Sequence, residues 1–246
     1  MFMTNRRKRV GRFRGTAAII MATIALATGG TGFATRSAAQ ESSPTPAPTP
    51  TPGVLTTPAA NLDCSTVAGV ATIYTVASEE SEARYRVQEE LAGRGAFEAV
   101  GATRAVIGNL YLGAKGEPRA CSRFDVDLRT MRSDDARRDN YLYTNTLQTG
   151  TYPVATFVLS AVEGLSSPLG EQETTFRLIG NFTVHGVTKL VAWEITAARK
   201  GDAIVGRAVT VFEMPEFEMT PPKVGPVVSL DETVKLEIDL VLKRTP

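Results

Sequence analysis

The sequence has few of the side chains that carry most metal and nucleophilic chemistry. Its 246 residues include one histidine, His185, and two cysteines, Cys64 and Cys121. A single histidine excludes metal centres built from several imidazoles and leaves one candidate base for a serine or cysteine nucleophile. Because His185 falls on the polar face of a predicted strand, at a turn, we interpret it as a hydrogen-bonding residue. We therefore predict no catalytic residue and no metal site.

Positive charge is scarce beyond the N-terminal segment. Residues 1–39 hold seven of the 27 Lys and Arg residues and no acidic residue, and then an apolar run and small residues up to Ala39. This order is typical of an export signal. Without the segment, 20 basic residues face 26 acidic ones, a net charge of −6, which gives no electrostatic basis for nucleic-acid binding.

The N-terminal segment leaves two outcomes open. Cleavage after Ala39 or Ala34 gives a secreted or periplasmic protein, whereas the 15–34 stretch is just long enough to remain as a membrane anchor. In both cases the sequence predicts an exported, extracytoplasmic protein. Residues 40–60 contain six of the 14 prolines and predict an extended, disordered linker of the kind that holds a domain away from a membrane or wall.

Residues 61–246 read as one domain made mostly of strands. Apolar and polar residues alternate most regularly at the end of the chain, where Val234, Leu236 and Ile238 alternate with charged residues. A short helix is predicted over 133–142, with Ser133 as its N-cap and Asp134 and Asp135 in its first turn. The predicted strands cover residues 70–76, 83–89, 104–112, 119–128, 154–162, 174–185, 188–198, 203–213 and 233–242.

The most informative stretch is a predicted β-hairpin over 180–196. Phe182 and Val184 share one face of its first arm, and Val191, Trp193 and Ile195 share one face of the second. This apolar, aromatic side must be covered by more sheet, a helix or a ligand. Eight or nine antiparallel strands with one short helix favour an all-β fold closed into a barrel, because closure removes exposed strand edges.

The two cysteines are predicted to form a disulfide bond. Alternation over 120–128 places Cys121 on the outer side of its strand, opposite Phe124 and Val126, where it can reach a segment crossing the outside of the sheet. Cys64, just before the first strand, lies in such a segment. Export permits the bond. The alternative is two buried or reactive free thiols.

Several motifs in order resemble the YceI-like family of polyisoprenoid-binding, lipocalin-like barrel proteins, from about residue 74 to 242. The resemblance implies an eight-stranded antiparallel β-barrel around an elongated apolar cavity for an isoprenoid chain, often in exported proteins. The chain departs from the family pattern at 212–225, which forms the rim of the cavity. The motifs are SEARYRV at 81–87, EEL at 89–91, GAT at 101–103, VIG at 106–108, FDVDL at 124–128, Arg138-Asp139, YPVATF at 152–157, GNFTVHGVTK at 180–189 and the last strand.

An eight-stranded barrel is just wide enough to be filled by its own side chains or to hold one small ligand. The inward residues include small ones, Gly108, Gly180, Gly206 and Ala208, and a glycine at an inward strand position either marks a bend or leaves room for a ligand. We predict an exported lipid-binding protein, not an enzyme, with an isoprenoid lipid as its partner and no cofactor. The alternative is a structural or stress-related interaction module with a self-filled barrel. The sequence leaves homodimerisation open. Candidate lining residues are Tyr85, Val87, Val106, Leu110, Phe124, Phe157, Phe176, Leu178, Phe182, Trp193 and Phe212.

Overall fold

The structure, a computed structural model, describes residues 67–165, 168–222 and 227–246. The predicted export signal at 1–39, the linker at 40–60, the first residues of the 61–246 domain and Cys64 lie outside the described residues, so these assignments stay predictions. None of the helices in the described ranges has the length and hydrophobicity to cross a membrane.

Eleven strands and one α-helix make up the described part of the domain. The helix, α1, spans Ala136–Tyr141 and continues into a π-helical turn at Leu142–Thr146. Short 3-10 turns follow three of the strands. The strands are β1 Thr72–Val76, β2 Glu82–Leu91, β3 Gly95–Thr103, β4 Val106–Leu112, β5 Arg123–Asp127, β6 Val154–Glu163, β7 Thr174–Val184, β8 Val187–Lys200, β9 Ala203–Glu213, β10 Val227–Leu230 and β11 Thr233–Arg244.

The sheet closes on itself as an antiparallel barrel of eight strands, which confirms the predicted fold class. Neighbouring strands follow the order β1, β4, β5, β6, β7, β8, β9 and β11. The ring closes where β11 returns to β1, with Tyr74 opposite Arg244 and Val76 opposite Leu242. Every strand of the ring therefore has a hydrogen-bonded neighbour on both sides, which removes the exposed edges.

Strands β2, β3 and β10 extend the wall at one end of the barrel. The first half of β11 pairs with β2, Leu236 lying opposite Tyr85, and β2 pairs along its whole length with β3. The short strand β10 adds to the far end of β2. The segment that carries α1 meets β3 where Ala102 pairs with Arg132. We call this end of the barrel the mouth.

The β7–β8 hairpin turns at two residues with left-handed backbone conformation. His185 has φ 52° and Gly186 has φ +76°, the combination that a tight two-residue hairpin turn requires. A Cβ at Gly186 would lie 2.6 Å from the Tyr152 ring. Glycine is therefore needed here for its small size as well as for its backbone freedom.

The helix and one strand begin later than the sequence predicts. The helix begins later than expected, because Asp135 caps it by accepting a hydrogen bond from the Arg137 N–H, whereas Ser133 donates its hydroxyl to the Asp139 carboxylate. The prediction of Ser133 as N-cap was wrong. Strand β5 begins at Arg123 instead of residue 119, since Cys121 lies in a turn with φ 68°. The alternation argument for an outward Cys121 therefore does not apply, and the residue is buried.

Candidate ligand-binding site

Two apolar cavities lie one above the other inside the barrel. The outer cavity, next to the mouth, has a volume of about 100 Å³, and the inner cavity has a volume of about 80 Å³. Both walls are almost entirely apolar. The eleven predicted lining residues all contact one of the two cavities. Tyr85, Val87, Phe182 and Phe212 line the outer cavity, and Val106, Leu110, Phe124, Phe157, Phe176, Leu178 and Trp193 line the inner one.

The continuous tunnel that the family resemblance implies is absent from the described part of the barrel. Each cavity is smaller than the roughly 150 Å³ that an engineered cavity uses to bind benzene. The Phe157 ring covers Gly180, where a Cβ would come within 2.7 Å of it, and the Ala197 methyl group packs against Gly206. Gly206 and Ala208 still line the inner cavity, so small inward residues leave room there, but only within a volume of about 80 Å³.

Methionine side chains form part of the outer wall. Met131, Met214 and Met219 all line the outer cavity, and they are the only methionines in the described ranges. Methionine is unbranched and polarizable, so it adapts to irregular partners more readily than branched or aromatic residues. The inner cavity has no methionine among its described lining residues. The outer cavity therefore has the more adaptable wall.

Turns place these methionines, which explains why strand alternation did not identify them. Met131 follows a 3-10 turn at Leu128–Thr130, and Met214 opens the 3-10 turn Met214–Phe217 after β9. In the latter, Pro215 occupies the first turn and Glu213 and Glu216 form a reciprocal capping box. The turn lies in the 212–225 stretch that departs from the family pattern, and it inserts Phe217 fully into the core.

Five aromatic rings form a layer between the two cavities. Phe182 contacts Trp193, Phe212 and Phe217, with ring centroids 5.8, 6.1 and 5.5 Å away. Trp193 in turn contacts Phe157 at 6.0 Å. Most of these contacts are edge-to-face, the arrangement that aromatic pairs favour. We call Phe157, Phe182, Trp193, Phe212 and Phe217 the aromatic layer.

A buried ion pair marks the boundary between the outer cavity and the solvent side of the mouth. Arg138 on α1 lies 3.4 Å from Glu89 on β2 and 2.6 Å from Asp134, with its guanidinium over the Phe97 ring. The side chains of Arg138 and Glu89 are only 12% and 3% exposed. Burial disfavours the charged guanidinium, but Asp134 and Glu89 outweigh it and raise the pKa of Arg138.

Outside this ion pair lies a chamber of about 470 Å³ lined by both charged and apolar residues, which we call the vestibule. It shares Glu89, Arg138 and Pro222 with the outer cavity. Its charged lining residues balance, because Arg94, Arg137 and Arg138 face Glu89, Asp134 and Asp135. Asp134 pairs with Arg138, and Asp135 caps α1 and pairs with Arg137. Helix capping and ion pairing therefore account for both aspartates.

Tyr85 brings an unpaired polar group to the outer cavity. Its hydroxyl is buried and has no hydrogen-bond partner among the described residues. Burial is the main cause that raises the pKa of Tyr85, the charges of Asp139 and Glu89 raise it further, and the charge of Arg138 opposes the shift. The phenol is therefore neutral at physiological pH and can donate a hydrogen bond. The Trp193 Nε1–H is likewise buried without a partner.

His185 lies at the hairpin turn, as the sequence predicted. Its Nδ1 lies 3.2 Å from the carbonyl oxygen of Phe217, to which it donates, and its ring packs edge-on against Tyr152 at 5.0 Å. These contacts tie the hairpin to the 3-10 turn of the aromatic layer. Among the described residues, no group of three or more histidine, cysteine or carboxylate side chains could hold a metal ion.

Sequence reasoning did not single out the Arg138–Glu89 pair or the methionines. Glu89 and Arg138 appear in the motifs of the family resemblance, but their sequence separation of 49 residues gives no signal of contact. The lining residues from β11, including Leu236 and Ile238, were recognised only as core-facing. Cys64 lies outside the described residues, so its pairing with Cys121 stays a prediction.

Comparison with known proteins identifies the family of the barrel. The YceI-like domain profile matches residues 74–242, and no curated protein sequence matches the chain. Burkholderia cenocepacia BcnA superposes with a TM-score of 0.54 at 18% identity, covering 68% of this chain and 98% of that one. A polyisoprenoid binding domain from Saccharophagus degradans, implicated in plant cell wall breakdown, superposes with a TM-score of 0.56 at 14% identity, covering 70% and 98%. At these identities the structures support a common fold.

Proposed function

We propose that this chain, which belongs to the YceI-like domain family, is an exported carrier that shields the tail of one isoprenoid or similar apolar lipid from water. The tail would enter the outer cavity and the polar end of the lipid would remain in the vestibule. An N-terminal segment retained as a membrane anchor, with the proline-rich linker, would keep the barrel near its membrane source. We propose binding without catalysis, because no nucleophile, base and orienting residue come together among the described residues that line the cavity.

The observation that carries this proposal is the abrupt change of polarity at the Arg138–Glu89 pair. On one side lies an almost purely apolar cavity, and on the other lies a chamber lined by six charged residues. An amphipathic lipid is divided in the same way, into an apolar tail and a polar end. Burying its tail would gain roughly 25 cal/mol per Å² of apolar surface removed from water, without any polar contact to the hydrocarbon.

The outer cavity must widen to accept such a tail. Its volume of about 100 Å³ is small, but three methionines contribute to its wall. Rotation of these unbranched side chains changes the shape of the cavity at a lower cost than movement of a strand residue. Uptake would therefore involve a local rearrangement at the mouth, with the barrel wall unchanged.

Native mass spectrometry of the purified protein tests the proposal. After addition of an isoprenoid quinone or a prenyl phosphate, we expect a complex of one lipid per chain. Ala155 is buried and lines the outer cavity, so Ala155→Leu should fill it and weaken uptake at least tenfold. Ala161→Leu is the matched control, since Ala161 is an exposed residue of the same strand. Failure of the wild-type protein to take up either lipid would contradict the proposal.

A second candidate function is a structural or stress-related interaction module whose barrel is filled by its own side chains. The small cavity volumes favour this candidate. It predicts that Ala155→Leu raises stability by filling a void, and that no lipid copurifies with or binds to the protein. Lipid extraction followed by mass spectrometry distinguishes the two functions.

A further inference from the structure

We propose that the aromatic layer is the floor of the lipid site and limits the length of the tail that the barrel accepts. This inference rests on the proposed function and specifies its ligand. The accepted tail would end at Phe182, and the inner cavity would stay closed to it. Phe182 and Trp193 are then specificity-determining residues.

The separation of the cavities follows the barrel axis. The outer and inner cavities share no lining residue. Along β7, Phe182 and Val184 face the outer cavity, whereas Phe176 and Leu178 face the inner one. Along β11, Leu236 faces the outer cavity and Ile238 faces the inner one. The boundary thus crosses the barrel at one level, which is the level of the aromatic layer.

The aromatic layer consists of large rings in mutual contact, unlike the methionine-containing wall above it. Phe212 and Phe217 are in contact at 4.7 Å, and both contact Phe182. The Phe157 ring occupies the space over Gly180 that a side chain would otherwise take. Trp193 and Phe182 are only 3% and 4% exposed. Close-packed rings have few alternative rotamers, so a tail displaces the methionines before it displaces this layer.

The depth of the outer cavity sets the scale of the expected tail. Along β2 its lining runs from Glu89 at the ion pair to Tyr85, four residue steps or about 13 Å. A tail longer than this depth must either fold back towards the vestibule or open the layer. Affinity should therefore rise by about tenfold or more with each early isoprene unit, and then stop rising.

A series of prenyl alcohols tests the floor. We expect wild-type affinity to rise from geraniol to farnesol and to level off or fall by geranylgeraniol and solanesol. Phe182→Ala should connect the cavities and shift the best ligand to a longer alcohol by at least one member of the series. Ile179→Ala is the matched control, because Ile179 is buried on the same strand but lines neither cavity, and it should keep the wild-type profile.

Thermal unfolding monitored by circular dichroism checks that each variant is folded. Should Phe182→Ala fail to fold, Phe182→Leu gives the same test with a smaller loss of volume. Trp193 provides an independent measurement, because it is the only tryptophan of the chain. Its fluorescence should respond to farnesol and longer alcohols but not to geraniol, whose tail would end above the layer.

The possible failures are distinguishable. The floor hypothesis would be wrong if the affinity still rises at solanesol and if Phe182→Ala has the wild-type profile. The proposed function would then stand, because all four alcohols bind. Absence of binding for every alcohol, in the wild type and in the variants, would overturn the proposed function and the floor with it.

Discussion

Tyr85 differs from an ordinary core residue because its hydroxyl is buried without a hydrogen-bond partner among the described residues. A buried polar group without a partner lowers stability, because it gives up its hydrogen bonds to water on folding. Tyr85→Phe removes this hydroxyl and keeps the ring that packs over Gly101. We expect the free energy of unfolding of the ligand-free protein to stay the same or to rise by about 1 kcal/mol, as measured by urea denaturation.

Tyr143 supplies the matched control for this prediction. Its hydroxyl donates to the carbonyl oxygen of Met131, which also accepts a hydrogen bond from Arg132 Nη1. Tyr143→Phe removes one of these two hydrogen bonds and should lower the free energy of unfolding by about 1 kcal/mol. An equal loss of stability in the two variants would show that the Tyr85 hydroxyl is paired in solution and would remove it as a free donor to a ligand.

Alternation along the strands was sufficient to predict which side chains point into the barrel. It placed Phe124, Phe176 and Trp193 inward, and all three line the inner cavity. It could not predict that these rings fill the interior, because packing across the barrel depends on residues far apart in sequence. Phe182 and Phe217, for example, belong to different elements, and the second lies in a 3-10 turn without strand periodicity.

At the scale of elements, the outer faces of β2, β11 and β9 are joined by a ladder of ion pairs. Glu237 lies 2.9 Å from Arg86 and 2.7 Å from Lys235, and Asp239 lies 2.6 Å from Arg207 and also contacts Arg84. Burial disfavours the charged form of Glu237, but Lys235 and Arg86 outweigh it and lower its pKa from the ordinary 4.5 to about 2. The same kind of contact, chiefly with Arg207, lowers the pKa of Asp239.

This ladder predicts a loss of stability in acid. Because the pKa of Glu237 is lower in the folded than in the unfolded chain, its contribution is fully present above about pH 4.5 and disappears as the pH falls towards 2. Glu237→Gln should therefore lower the melting temperature at pH 7 and reduce its fall between pH 5 and about pH 2. Thermal unfolding followed by circular dichroism across this pH range measures both effects.

Glu163→Gln is the control for the pH prediction. Glu163 pairs with Arg177 on β6 and β7, and both side chains are half exposed, so the pair should contribute little. Its variant should show the wild-type dependence on pH. A Glu237→Gln variant with that same dependence would mean that the ladder does not couple protonation to folding.

Two strands of the structure, β3 and β10, were not predicted from the local sequence. Strand β3 was not predicted, because its sequence contains glycine and alanine at most positions and has a low intrinsic strand preference. Gly101 is required by the neighbouring strand β2, because a Cβ at this position would lie 2.2 Å from the Tyr85 ring. Strand β10, with four residues, is too short for a periodic signal. Both strands exist because β2 offers them a partner.

At the scale of the whole molecule, the barrel has two different ends. The end away from the mouth closes around the inner cavity with strand residues and with Pro118 and Leu169 from two loops, whereas the mouth combines a helix, 3-10 turns and methionines around the outer cavity. Rigid packing below and adaptable packing above allow one end to open without loss of the fold. The number of strands and their closure could be predicted from alternation and from the family resemblance, but this division could not, since it depends on turns.

The predicted Cys64–Cys121 disulfide would connect the region before β1 to the barrel wall. Cys121 lies in the turn before β5, where its N–H donates to the carbonyl oxygen of Leu159 on β6. A bond to Cys64 would close a loop that contains β1 to β4, and removing it should lower the free energy of unfolding by about 2–4 kcal/mol. Intact mass spectrometry after alkylation should show no modified thiol without reductant and two with it. Cys64→Ser should melt at the temperature of the reduced wild type, and two alkylated thiols in the unreduced wild type would contradict the bond.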